Sequence, residues 1–127
     1  MSEVVLDASA VLALLNQEPG EEAIARVINH AAISSVNVSE VVAKMAEMGI
    51  PEESIAAILD ELNLEIVTFD RAQAVRTGLL RPVTKPLGLS LGDRACLALG
   101  LHLNQPVLTT DRQWQNLDLN IEIRMIR

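Results

Sequence analysis

Glu3-Val4-Val5-Leu6-Asp7 runs directly into Ala8-Ser9-Ala10-Val11-Leu12-Ala13-Leu14-Leu15-Asn16-Gln17. The first run is β-branched, apolar and ends on an acid. The second is helix-forming and almost wholly apolar. A strand that passes without a loop into a buried helix predicts an α/β layer fold.

The rest of the chain repeats this alternation. Pro19-Gly20 breaks it, and Glu21 to His30 reads as a helix with its acids in the first turn, where the macrodipole favours them. Ala32 to Ser35 is a second strand. From Asn37, the residues Val38, Val41, Val42 and Met45 fall at helical spacing, and Gly49 ends that helix. Pro51 opens the next, whose stripe is Ile55, Ile58, Leu59 and Leu62. Leu64 to Phe69 is a third strand, and Asp70 caps a helix running to about Leu80. Residues 81–89, with Pro82, Pro86 and Gly88, read as a loop. Ser90 to Leu103 is an apolar helix, Pro106 to Thr110 a fourth strand, and Asp111 to Leu117 a short helix or turn. Ile121 to Met125 alternates with period two and reads as a half-exposed strand. Strands separated by helices predict a mostly parallel sheet covered on both faces, in a single domain over residues 1–127.

Composition narrows the function. Half of the 127 residues are hydrophobic, which excludes intrinsic disorder. Phe69 and Trp114 are the only aromatics, too few for a module that stacks bases on aromatic side chains. A formal charge of −7 argues against a general basic nucleic-acid binder. The charge is uneven, however: residues 1–70 balance to −11 and residues 71–127 to +4. Contact with a polyanion is therefore expected in the second half, at Arg71, Arg76, Arg81, Lys85, Arg94 and Arg112. The single Cys96 sits in an apolar run and reads as a buried, inert thiol, so neither a disulfide framework nor a cysteine zinc site is expected. No apolar run reaches the length of a membrane span, and Met1-Ser2-Glu3-Val4 shows no basic signal-peptide start. A cytoplasmic protein is the expectation.

No glycine-rich phosphate loop or nucleophile elbow is present, and His30 and His102 have no metal-binding spacing. The chemistry left is acidic. Asp7 follows the first strand and Asp111 the fourth. Asp93 and Glu40 stand in the first turns of helices. Each has a plain structural role open to it. Asp7 can cap the helix after the first strand, Asp111 can cap the short helix or turn after the fourth, and Ser90 with Asp93 has capping-box spacing. Asn37 with Glu40 also has cap spacing, and Glu40 with Lys44 can form an i,i+4 ion pair. Topology adds a second possibility. In an open parallel α/β sheet, ligands bind beyond the carboxyl ends of the strands, where strand order reverses. Four carboxylates gathered there repel one another unless a cation neutralises them. Oxygen ligands without His or Cys select a hard ion, Mg²⁺ or Mn²⁺, whose usual work is phosphoryl chemistry.

Four segments carry a family resemblance: Leu6-Asp7-Ala8-Ser9-Ala10, Ser35-Val36-Asn37-Val38-Ser39-Glu40-Val41, Gly88-Leu89-Ser90-Leu91-Gly92-Asp93-Arg94 and Val107-Leu108-Thr109-Thr110-Asp111-Arg112. In this order the chain resembles the PIN-domain ribonucleases, in particular the VapC-type toxins of type II toxin–antitoxin pairs. The resemblance implies a three-layer α/β/α sandwich around a mostly parallel sheet, and Mg²⁺-dependent endoribonuclease activity, with water activated by the metal. It assigns Asp7, Glu40, Asp93 and Asp111 to the catalytic metal site, with Mn²⁺ as a substitute ion, and gives Ser9 and Thr109 supporting polar roles. It further implies an RNA substrate, a cognate antitoxin and a homodimer. Three other readings compare less well. A small Mg²⁺-dependent phosphatase of the haloacid-dehalogenase type wants an Asp where Ser9 stands. A phosphoacceptor domain wants a Lys near the last strand, and Ile121 to Arg127 has none. A catalytically inactive PIN-like protein that only binds a partner would not need all four acids.

Overall fold

The computed structural model describes residues 1–127. Its five strands are β1 (Val4–Leu6), β2 (Ala31–Ser34), β3 (Glu65–Val67), β4 (Val107–Thr109) and β5 (Ile123–Met125). The helices are α1 (Ala8–Leu15), α2 (Glu21–Val27), α3 (Ser35–Glu47), α4 (Glu52–Leu62), α5 (Arg71–Leu79), α6 (Arg81–Thr84) and α7 (Leu91–Leu103). The sheet order is β3-β2-β1-β4-β5, and all four pairings are parallel. The expected α/β/α arrangement is the observed one.

The central strands are buried along their whole length and apolar except at the carboxyl ends of β2 and β4, where Ser34 and Thr109 stand, because both of their faces are covered. Alternation sends Val4 and Leu6 of β1 to one face and Val5 to the other. The first face packs with Ile33 of β2 against Val11 of α1, Ile24 of α2, Val41 and Met45 of α3, and Ile55 of α4. The second face packs with Val107 of β4 against Cys96, Leu97 and Leu99 of α7, Leu80, and Trp114. Each such fully buried side chain contributes roughly 1.5–3 kcal/mol by leaving water. The edge strands carry charge instead, Glu65 on β3 and Arg124 on β5, which discourages pairing with another sheet edge.

Several boundaries differ from the sequence reading by a residue or two, as at Leu15, Ala31 and Ile123, and four differences are larger or bear on the cleft. The helix expected over 21–30 ends at Val27 and tightens to a 3₁₀ turn, Ile28–His30. The third strand is half the expected length, confined to the three residues that pair with β2. The supposed loop 81–89 contains α6 and a 3₁₀ turn at Lys85–Leu87. Pro82 suits the first turn of a helix, and Thr84 Oγ1 donates back to the Leu80 carbonyl at 2.9 Å. Finally, α3 begins at Ser35, capped by Ser34, whose Oγ accepts from Val36 N. Asn37 is therefore inside the helix and free for another partner.

Strand order reverses between β1 and β4, from whose carboxyl ends the chain leads to α1 and to a 3₁₀ turn at Arg112–Asn116. A crevice at that point is a consequence of the topology.

Candidate functional site

Asp7 is the first residue beyond β1 and the N-cap of α1. Its Oδ1 accepts from Ala10 N at 2.8 Å and from the Ser9 hydroxyl at 2.7 Å. Its Oδ2 accepts from the Thr109 hydroxyl at 2.5 Å. The residue is 5% exposed. Burial pushes its pKa up to about 6; the bonds from Thr109, Ser9 and Ala10 oppose the rise, and the charge of Asp93 adds to it.

The same two hydroxyls tie β1 to β4. Thr109 Oγ1 accepts from Asp111 N at 3.1 Å, and Ser9 Oγ accepts from Thr110 N at 3.1 Å. Each has one hydrogen, and each gives it to Asp7. Asp111 caps the 3₁₀ turn by accepting from Gln113 N at 3.0 Å. Asp93 completes a capping box: Ser90 Oγ accepts from Asp93 N at 3.2 Å, and Asp93 Oδ2 accepts from Ser90 N at 2.9 Å. Glu40 projects from α3, where its Oε1 accepts from Asn37 Nδ2 at 2.7 Å.

Asp7, Glu40, Asp93 and Asp111 line one cleft of about 230 Å³, together with Ala8, Ser9, Leu12 and Lys44. The capping and the shared-cleft readings are thus both correct for Asp7, Asp93 and Asp111. The expected pairing of Glu40 with Lys44 is not formed; Lys44 reaches Glu47 at 3.7 Å instead, because Glu40 is held by Asn37. No three of the carboxylates are drawn together as a ready-made metal cage. Asp7, Asp93 and Asp111 are oriented by the helix starts they cap and Glu40 by Asn37, and like charges keep apart. The donor set nevertheless fits a hard divalent cation: four carboxylates and the Ser9 hydroxyl, with no sulfur or imidazole. Cys96 lies behind the cleft, wholly buried. Burial and the charges of Asp7, Asp93 and Glu40 push its thiol well above the usual range, which leaves it inert.

Arg94, expected at the surface, turns away from the cleft. Its Nη1 donates to the Thr77 carbonyl at 3.1 Å, and its Nε is buried without a partner. Arg112 is exposed. Asn37 and Gly92 were not singled out from the sequence as site residues; the signal in it was their place beside Glu40 and Asp93 in the two most site-like segments.

A five-stranded parallel sheet with helices on both faces and an acidic cleft at its switch point defines an open α/β protein with a carboxylate-lined cleft. A family model of the PIN domain matches residues 4–120, and the chain belongs to the PIN domain family. No curated protein sequence matches it. Among solved structures, it is similar to a chain of DNA-bound VapBC from Salmonella typhimurium, with 20% identity, complete coverage of both chains and a TM-score of 0.77. A chain of a toxin–antitoxin complex from Klebsiella pneumoniae shares 17% identity over 98% of each chain, with a TM-score of 0.77. A chain of VapBC-5 from Mycobacterium tuberculosis, of the VapBC family of toxin–antitoxin systems, shares 21% identity over 98% of each, with a TM-score of 0.60. No helix is long and apolar enough to cross a membrane.

Proposed function

We propose that this chain is a Mg²⁺-dependent endoribonuclease acting as the toxin of a toxin–antitoxin pair. The observation that carries the reading is the gathering of Asp7, Glu40, Asp93 and Asp111 in one cleft at the switch point of the sheet. In this reading Asp7, Asp93 and Asp111 hold the cation, with Mn²⁺ able to substitute. Glu40 ligates it or orients the attacking water. Ser9 and Thr109 hold Asp7 and link it to the segment bearing Asp111. When bound, the ion offsets charge on the phosphate oxygens and lowers the pKa of water. The PIN fold and its likeness to chains of toxin–antitoxin complexes support the toxin role, an antitoxin partner and a cytoplasmic setting. Of the basic residues expected to meet a polyanion, Arg81, Lys85 and Arg112 are the proposed RNA contacts; Arg94 is engaged with Thr77, and Arg71 and Arg76 share the face of α5 that carries Val75 and Leu79. A homodimer is part of the proposal. Its support in the structure is α5, whose Val75 and Leu79 are 56% and 75% exposed.

The test is cleavage of RNA by protein purified free of other nucleases, in Mg²⁺, Mn²⁺ and EDTA. Cleavage is expected with either ion and lost in EDTA, in Asp7→Asn and in Asp93→Asn. Undiminished cleavage by Asp7→Asn overturns the nuclease reading. Expression of the chain alone should arrest bacterial growth, and a short neighbouring reading frame should relieve the arrest.

A further inference from the structure

Glu40 is solvent-exposed, yet its carboxylate has a defined place. Two features create that place. The first is Asn37, one helical turn earlier on α3 and 1% exposed. Its Nδ2 has two hydrogens and uses both, one on Glu40 Oε1 at 2.7 Å and one on the Gly92 carbonyl of α7 at 3.0 Å. Both neighbours are acceptors, so the amide admits only this orientation. The second is Gly92 itself. A Cβ there would overlap both carboxylate oxygens of Glu40, so the carboxylate lies where a side chain would otherwise be. Asp93 is the next residue.

The other half of the Asn37 amide strengthens the argument. Its Oδ1 is buried and has no partner. An unpaired buried acceptor is unfavourable, so a well-packed apolar residue would suit this helix–helix contact better for stability alone. What Asn adds at this position is its pair of donors, one on each helix.

We infer that Asn37 is a positioning residue, which with the bare Cα of Gly92 holds the Glu40 carboxylate against the first turn of α7 beside Asp93. The clamp joins an acid of α3 to an acid of α7, elements far apart in the sequence. It rests on the reading of the cleft as a cation site. Its role toward the ion is indirect: without it, Glu40 is an exposed, flexible side chain that must be ordered by the ion itself.

Mn²⁺ binding to the intact protein tests this without RNA, by following the free-ion electron paramagnetic resonance signal during titration. The variants are Glu40→Gln, Asn37→Leu, Gly92→Ala and the double Asn37→Leu/Glu40→Gln, with melting temperatures in EDTA alongside. Gly92→Ala leaves every hydrogen-bonding group in place, suits a helix better than glycine, and needs only the flexible end of Glu40 to move. It therefore tests the clamp even if Asn37→Leu folds poorly. Each single variant is expected to weaken Mn²⁺ binding by about tenfold, the usual scale for residues that orient metal ligands. The double variant should be no weaker than Glu40→Gln, since Asn37 acts through Glu40. Wild-type affinity in Gly92→Ala and Asn37→Leu, with binding weakened in Glu40→Gln, overturns the clamp and leaves the site standing. A full additional loss in the double variant also overturns it. Equal binding by wild type and Glu40→Gln, or none by wild type, refutes the site reading at Glu40 and the clamp with it.

Discussion

The Thr109 hydroxyl donates to Asp7 Oδ2 at 2.5 Å across 102 residues of chain, and accepts from Asp111 N. One fully buried threonine at the end of β4 thus orients the acid at the end of β1 and the backbone of the acid just beyond β4.

Removing that hydroxyl should raise the Asp7 pKa further. Thr109→Val takes away the largest of the three hydrogen bonds that hold it down, and leaves Asp111 N without its acceptor. A ¹³C titration of the Asp7 carboxyl in metal-free protein should show the upward shift. Unfolding at neutral pH should show a loss of roughly 1–3 kcal/mol, the cost of an unpaired buried group. An unmoved titration would mean that Thr109 does not control this acid.

Asp7 itself should work against stability when ionised and metal-free. Its pKa rises on folding from 3.8 to about 6, so the folded state binds the proton more tightly than the unfolded chain. The resulting stabilisation is complete below pH 3.8 and is lost as pH rises through 6. The shift corresponds to about 3 kcal/mol, of which Asp7→Asn should recover about 2 at pH 7, since Asn reproduces only part of the bonding. Denaturant melts in EDTA at pH 4 and pH 7 should show the variant's advantage only at the higher pH. An advantage equal at both would dissociate it from the charge.

Mg²⁺ should raise the wild-type melting temperature by mass action, and do less for Asp93→Asn. In EDTA that variant carries two opposed effects. It relieves repulsion with Asp7 but weakens the capping box at Ser90. Asp7→Asn is therefore the cleaner test of repulsion. Ser90→Ala isolates the cap and should cost about 1 kcal/mol, a few degrees in melting temperature. A wild type indifferent to Mg²⁺ would leave Asp93 as a capping acid alone.

The arginines should separate by role. Arg112→Ala should leave stability unchanged and weaken RNA binding, reducing the salt slope by about 0.7, as for one single-strand phosphate. Arg94→Ala should instead lower the melting temperature, because its guanidinium bonds the Thr77 carbonyl between α5 and α7. Replacing both Arg81 and Lys85 with Ala with no change in slope would remove those two from the footprint.

The layering of the fold is legible in local spacing. The short β-branched runs at Val4–Leu6 and Val107–Thr109, each bounded by helical patterns, read as strands covered on both faces, and the stripe on residues 55–62 as an amphipathic helix. Helix starts at Asp70 and Ser90 were legible because capping is a contact across three residues. Periodicity and capping act over a few residues, so they are written in local spacing. The short pieces within 81–87 escaped that reading because their proline signals serve turns and helix starts alike. Four acids at strand ends and helix starts were legible as candidates, but their geometry was not. Strand order, not spacing, brought Thr109 to Asp7, and the packing of α3 on α7 brought Asn37 to Gly92, 55 residues away. Burial of Asp7 and the turning of Arg94 toward Thr77 are likewise properties of the assembled layers. Desolvation and cross-chain hydrogen bonding exist only once distant segments meet. They set how each acid is held and how it titrates, which the tertiary structure alone decided.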